Sequence, residues 1–596
     1  MKAFHRFTGR RRWNLPLLFC GAIALLGGLA LLAACTPAQS AALVPITISG
    51  TVADDKGPIA GAVVQVQGTP NQTKSAPDGS FTMHGEGLGV NKVVTMTAWA
   101  QGHFVGWVNL DPQKPIWQNG GSGVVIKLNP LYTTDNNQYT WFTFEGKSGS
   151  ASCSICHREY KEWKKDAHGN SANNYHFIQM YTGTDMHGNT GQLTQLETNN
   201  TALPPDPSQP YYGPGFQLDY PNRAGNCATC HTPVASNTPT QQNCAWAGCH
   251  TSYTAQHAAS TGLDIQGISP VGLLGAGTDG ISCEFCHKIG QVILNPHTNL
   301  PYPDMPGILS TKLYRPSGND QLFFGTVTDV ARHVAYSSLE TQSAFCAPCH
   351  YGVLGGVVGM NTVTGGTLIY NSYGEWLNSP WSDPKTGKTC QDCHMPKSSA
   401  NYFVFPDKGG ITRNYVTLHD HTMLGGTDQT LLWNAVTMKS SAAHNGNSLQ
   451  VQVSITNDKT GHDMPTDAPM RSVMLVVEAQ DASGRTVALQ QGPTLPAWTG
   501  NYAGQPGKAF AKILKDQWTG ETPTSSFWRP VTITQDTRLA PYKTDSSTYT
   551  FNLPAGSAAT VKIKLIYRRY FQQLEQQKEW HDPDYTMAEA TIPVEK

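Results

Sequence analysis

"SCSICHREYKEWKKDAHG", residues 152–169, holds Cys153 and Cys156 three positions apart, His157 directly after them, and a second histidine, His168, eleven residues further on. The same C-x-x-C-H pattern returns as "CATCH" (Cys227, Cys230, His231), "CEFCH" (Cys283, Cys286, His287), "CAPCH" (Cys346, Cys349, His350) and "CQDCH" (Cys390, Cys393, His394). At this composition chance would supply about 0.01 such motifs in the whole chain. Ten of the fourteen cysteines fall in these five motifs, so the pattern is built.

C-x-x-C-H reads as c-type haem attachment. Two thiols add to the two vinyl groups of a porphyrin, a two-residue spacer matches their separation, and the adjacent histidine reaches the iron as proximal ligand. Zinc gives no reason for a histidine at one fixed offset five times over. Disulfides are the common use of cysteine outside the cytoplasm, but they leave the histidines unexplained. A further stretch, "NCAWAGCHTSYTAQHAAS" (243–260), places Cys244 and Cys249 four residues further apart than neighbours would be, with His250 after them and His257 seven on. It reads as a sixth attachment site with a stretched spacer, against a lone disulfide. Six haem c groups are expected.

The chain has 596 residues, which suggests several domains. Its formal net charge of -1 offers no basic field for nucleic acid, and charged residues make up 14% against an ordinary value of about 25%. Residues 1–35 read as an export leader: Lys2, Arg6, Arg10, Arg11 and Arg12 precede an apolar run from Leu15 to Ala34. The run ends in Leu32-Ala33-Ala34-Cys35, which resembles the bacterial lipobox. An exported, lipid-anchored chain at the periplasm or outer cell surface is expected, tied to the membrane through lipidated Cys35. An uncleaved transmembrane anchor is the competing reading.

Residues 45–130 alternate apolar and polar side chains in short runs ("ITISGTV", "GAVVQVQG", "KVVTMTAWA") between turn residues, the pattern of a β-sandwich. "GTVADDKGPIAGAVVQVQGT" with "SAPDGSFTM" resembles the carboxypeptidase regulatory-like domain, usually a non-catalytic module. Residues 140–430 hold all six motifs, are broken throughout by Pro and Gly, and show no apolar periodicity for a conventional core. A mostly α and irregular multihaem domain packed around its haems is expected there, with short helices carrying the motifs. Residues 447–594 return to alternating strands ("SLQVQVSITN", "RSVMLVVEAQD", "ATVKIKLIYRRY"), a second β-sandwich.

The second axial position of each iron separates an electron carrier from a catalyst, because His or Met there saturates the metal. Outside the proximal set His157, His231, His250, His287, His350 and His394, the favoured candidates are His168, His257, His297, His333, His421 and His462, with His419 beside His421 in "HDHTMLGG". His462 lies in "NDKTGHDMPTD", a turn between two strands of the C-terminal unit. His176, His187, His444 and His581 read as structural or surface histidines. Met395 adjoins His394 on the proximal side and cannot cross to the other face of the same haem.

"CSICHREYKEWKKDAHG" resembles the attachment element of multihaem cytochromes related to the tetrahaem cytochrome of ammonia oxidisers, in which a Tyr, a Trp, a Ser and a distal histidine follow the motif. Asp166 stands where that pattern has Ser, and His168 matches the distal histidine. "CATCHTP", "GISCEFCHKIG", "YGEWLNSPWSDPKTGKTCQDCHMP" and "VSITNDKTGHDMPTDAPMR" extend the likeness over about 150–570; "CAWAGCH" departs from it. The resemblance implies electron transfer through mostly bis-histidine haems; redox partner proteins or an extracellular electron acceptor are the expected partners. Two other readings stay open: an oxidoreductase acting on a small nitrogen or sulfur compound at one five-coordinate haem, and an adhesive or scaffold lipoprotein.

Overall fold

The computed structural model describes residues 47–596 apart from 85–92, 112–120, 237–268 and scattered single or paired positions. The leader with Cys35, and the stretch with Cys244, Cys249, His250 and His257, lie outside the described residues. Among the described residues no helix is long and apolar enough to cross a membrane.

The chain begins with two small sheets that share a core. In one, Thr47–Asp54 pairs antiparallel with Gly57–Pro58 and Ser80–His84 and parallel with Val124–Lys127; in the other the order is Gln72–Lys74, Val63–Val66, Val94–Trp99, Gly106–Leu110. Alternation decides which side chains turn inward. Ile48, Val52 and Ile126 from the first sheet meet Val64, Met96 and Ala98 from the second, all without exposed surface. This unit is fixed to the following segment by polar contacts. Asp329, fully buried, accepts from Gly68 N (2.8 Å) and from Arg413 Nε (2.9 Å), and Val105 N donates to Val334 O (2.9 Å).

The C-terminal unit is larger. A four-stranded sheet (Thr437–Asn445, Ser448–Thr456, Thr544–Phe551, Leu489–Gln491) faces a five-stranded one (Val531–Asp536, Gly507–Asp516, Ser472–Asp481, Ala559–Arg568, Tyr585–Val594). Leu449, Val451 and Val453 from the first sheet pack on Leu475, Val477, Ile563 and Leu565 from the second. Each such side chain contributes about 1.5–3 kcal/mol on leaving water.

The segment between them does not have the mostly α architecture expected from its motifs. The chain as a whole is 17% helical and 32% strand, and from 140 to 430 the described helices span only four to eight residues, interleaved with five two-stranded sheets. Proline and glycine account for this, because they stop helices after a turn. Remote backbone then bridges to the loose ends. His157 sits opposite Val404 in an isolated antiparallel bridge, and Phe405 N donates to Cys156 O (2.8 Å), so the helix expected through 152–169 breaks into Ser150–Cys153 and Tyr160–Trp163. Nor is the segment without apolar packing of its own: Val234, Phe285, Ile289, Ile308 and Leu313 form a compact buried cluster.

Candidate functional site

Every described C-x-x-C-H motif closes one helical turn. The histidine amide donates to the carbonyl of the first cysteine in His157 (2.8 Å), His231 (3.0 Å), His287 (3.0 Å) and His350 (3.1 Å), and Cys390–His394 is itself a helix. Positions i, i+3 and i+4 of such a turn share a face, so both thiols and the imidazole are presented together. None of the ten described motif cysteines is spent in a disulfide.

The motifs meet one another through their thiols. Cys153 lies beside Cys283, Cys230 beside Cys349, and Cys346 beside Cys390. Cys286 of the third motif stands within electrostatic reach of Cys346 and Cys349. The fourth motif is therefore the junction: it touches the second and the fifth, and reaches the third, which holds the first.

Two of these junctions are built alike. Ser282 and Thr389 cap the third and fifth motif helices by accepting from Phe285 N (3.1 Å) and Asp392 N (3.2 Å). The amide of the following cysteine then points outward, and each finds a serine. Cys283 N donates to Ser150 Oγ (3.1 Å) and Cys390 N to Ser343 Oγ (3.0 Å). Both serines stand three residues before their own motif, in "SASCSICH" and "SAFCAPCH". Sequence reading passed over this repeated serine, although it was there to be seen.

Opposite three proximal histidines stands a second imidazole. Ring centroids are 6.3 Å apart for His287 and His421, 6.2 Å for His350 and His168, and 6.2 Å for His394 and His462. Two metal–nitrogen bonds of about 2.0 Å and two ring radii of about 1.1 Å separate the centroids of a linear His–metal–His unit by about 6 Å. The spacing fits a metal ion between the rings and excludes direct stacking.

The other ring nitrogen is anchored in most of them. Nδ1 meets Phe324 O in His287 (2.8 Å), Leu424 O in His394 (2.6 Å), Asp463 O in His462 (2.9 Å), Asp467 Oδ2 in His350 (3.1 Å), Asp166 Oδ2 in His168 (2.9 Å) and Met395 O in His419 (2.6 Å). Holding Nδ1 on an acceptor leaves Nε2 free and aimed, as metal-binding histidines are held. His176, His187 and His444 instead spend Nε2 on Asp582, Glu579 and Ser557 O, which leaves no free, aimed Nε2 for a metal.

Burial pushes His157, His231 and His394 down to about 4 and His421 to about 3, so these rings are neutral, the ligating form. Burial also disfavours charge on His287, but the Glu340 carboxylate outweighs it and raises that ring to about 9.

The loop that carries His462 is pinned to the sandwich edge. Asn457 Nδ2 donates to His462 O (2.9 Å) and Leu539 O (2.8 Å), Met464 and Leu539 exchange both backbone bonds at 3.0 Å, and Arg538 ties Asp463 to Glu375.

The remaining proximal histidines differ. His157 has the ring of Phe403 at 6.4 Å, nearly parallel, and His231 stacks directly on Phe177 at 3.7 Å. Among the described residues no imidazole stands at the 6 Å spacing from either. His297 and His333 are exposed, and neither ring meets a motif histidine.

Among the described residues no group of three or more His, Cys, Asp or Glu side chains could hold a metal unaided. The pairs offer two nitrogens each, with two thiols beside one of them. Their 6.2–6.3 Å spacing suits imidazoles on opposite sides of a metal whose other four ligands belong to a macrocycle, whereas a tetrahedral zinc would bring the two ring centroids to about 5 Å.

No family model matches the chain, the stretch resembling the carboxypeptidase regulatory-like domain included, and no curated protein matches it. Among solved structures it is similar to a penta-heme cytochrome c552 from Thermochromatium tepidum, with 19% identity and a TM-score of 0.47 over 75% of this chain and 99% of that one. It is also similar to the ASH / PapD-like domain of human CEP192 (PapD-like domain 7), with 6% identity and a TM-score of 0.14 over 29% of this chain and 92% of that one. Scores this low assign nothing by themselves, and the assignment rests on the residues.

Proposed function

We propose that the chain is a multihaem c-type cytochrome that carries electrons. The five described motifs each bind one haem through two thioethers, and Cys244, Cys249 and His250 bind a sixth. His287 with His421, His350 with His168, and His394 with His462 are the imidazole pairs that would hold three of the irons. When bound, the haem irons would supply one-electron chemistry; the protein fixes the imidazoles, crowds the attachment sites together and, by burial, keeps the rings of His157, His231, His394 and His421 neutral. The observation that carries this reading is the 6.2–6.3 Å separation of three proximal histidines from a second imidazole. Export through the leader and anchoring at lipidated Cys35 complete the proposal, with redox partner proteins or an extracellular acceptor as the other party.

Intact mass and a pyridine haemochrome count of the purified protein test it. Six haems are expected; five would make Cys244 and Cys249 a disulfide pair, and none would end the proposal. His462→Ala should turn one haem high-spin with the count unchanged.

One observation favours a second reading. Phe403 cannot ligate, and it is the ring that faces His157 at the spacing other motifs give to histidine. A haem open on that side would bind a small nitrogen or sulfur compound. High-spin ferric signal and carbon monoxide binding at one haem of the unmodified protein would support it; a fully low-spin spectrum would remove it.

A further inference from the structure

We infer that, of the haems on the three described histidine pairs, the one at the fourth motif has the lowest reduction potential, set by two carboxylates, Asp467 and Asp166, that hold its two imidazoles from opposite sides. This rests on the haem reading above. Asp166 Oδ2 accepts from both the backbone N (2.8 Å) and Nδ1 (2.9 Å) of His168, a short loop that fixes the ring. Asp467 Oδ2 faces His350 Nδ1 at 3.1 Å and accepts from Ser372 Oγ at 3.0 Å, while its Oδ1 accepts from Asn371 N (3.1 Å) and Ser372 N (2.9 Å). Asp467 adopts φ 58°, a left-handed conformation that Asp tolerates better than most residues, and this turns its carboxylate toward His350. Both carboxylates are buried, so water screens their charge weakly.

The other pairs lack this arrangement. His394 and His462 rest on neutral carbonyls of Leu424 and Asp463. His287 has the Phe324 carbonyl at 2.8 Å with Glu340 behind it at 3.2 Å, and Nδ1 of its partner His421 has no protein acceptor. A carboxylate acceptor draws the Nδ1 proton and makes the imidazole a stronger donor to the metal, which favours ferric over ferrous iron. With two carboxylates on the fourth pair, one near the third and none on the fifth, the potentials should rise in that order. The lowest site is then also the junction of the thiol contacts, so an electron crossing from the second or fifth haem to the third and first climbs before it descends.

Spectroelectrochemical titration of the full-length holoprotein tests this, with low-temperature EPR to follow the individual low-spin signals. Asp467→Asn removes one charge and keeps the side chain's shape. The lowest step should move upward by a factor of ten or more in the ferric/ferrous ratio, about 59 mV for one electron, with the haem count unchanged. Asp166→Asn acts from the other side and should move the same step; it serves if Asp467→Asn does not mature. Glu340→Gln should move a different, higher step. A lowest step that stays in place in a fully loaded Asp variant overturns the inference. Absence of covalent haem in the unmodified protein would instead defeat the reading beneath it, and the pyridine haemochrome count tells the two apart.

Discussion

The C-terminal sandwich and the segment 140–430 are held together by different means. The sandwich has one continuous apolar core fed by strands of up to ten residues, whereas the central segment has small separate clusters, helices of a turn or two and strand pairs of two to four residues. Strand alternation gives the sandwich long-range order directly from its own side chains. The central segment takes its order from caps, buried ion pairs and single hydrogen bonds such as Cys283 N to Ser150 Oγ. A scaffold of that kind stays close to marginal stability until something binds it.

The largest effect should therefore come from withholding haem. Replacing all ten described motif cysteines by Ala should leave the C-terminal sandwich with protected amides and a cooperative melt, while the central segment loses protection. Hydrogen exchange by mass spectrometry reads both regions at once. Equal loss in the two would mean that they form one cooperative unit and that the contrast is false.

Next in size is a cut inside the sandwich. Leu475 is fully buried in its core, so Leu475→Ala should cost about 2–5 kcal/mol. Its effect should fall on the higher thermal transition, leaving the axial-ligand spectrum unaltered. A change in haem spin state would show that the core is felt at the metal sites.

Lys578 joins the two regions and should give a smaller, pH-dependent effect. It ends the helix Gln572–Lys578 in the sandwich and donates to Thr184 O (3.0 Å) and Gln179 O (3.3 Å) of the central segment. Burial lowers its pKa to about 7 from an ordinary 10.5. Between these values the unfolded chain binds the extra proton, so stability rises with pH from about 7 towards 10.5. Relative to Lys578→Met, the unmodified protein should gain melting temperature over that interval. A difference that does not vary with pH would mean that Lys578 keeps its charge in the fold.

How much of this could be read from the sequence follows from the range of the forces. The sandwich strands were legible because alternation is local, and Ser472–Asp481 buries Val473, Leu475 and Val477 on one face as its letters suggest. The attachment motifs were legible because i, i+3, i+4 spacing is local too. Helix content was misjudged at 152–169 because the backbone that interrupts it, at Val404, lies about 250 residues away. The histidine candidates show the same limit. His168, His421 and His462 stand opposite motif histidines, while His297 and His333, no worse placed in the sequence, are exposed. For His168 and His462 a sequence neighbour accepts at Nδ1 (Asp166, Asp463 O), whereas His421, whose Nδ1 has no protein acceptor, is held through its backbone N on the remote Glu162 (2.9 Å).

The smallest predicted effect tests the likeness of the two motif junctions. Ser150 and Ser343 occupy the same place relative to their own motifs and accept from the first cysteine amide of a partner motif. Both are buried, with 0% and 2% of their surface exposed, so removing either hydroxyl leaves an amide without its acceptor. Ser150→Ala and Ser343→Ala should each cost about 1 kcal/mol. Because the geometry is shared, the two costs should agree closely, and the double variant should show their sum, since the junctions use separate hydrogen bonds. Ser343 has further duty beside the junction motif: it lies next to Gln391, which donates to Glu340 O (3.0 Å) and Gln342 O (2.9 Å). A clearly larger loss for Ser343→Ala would show that the junction around the fourth motif is the more tightly coupled of the two, and the resemblance between them would then be one of sequence and not of energetics.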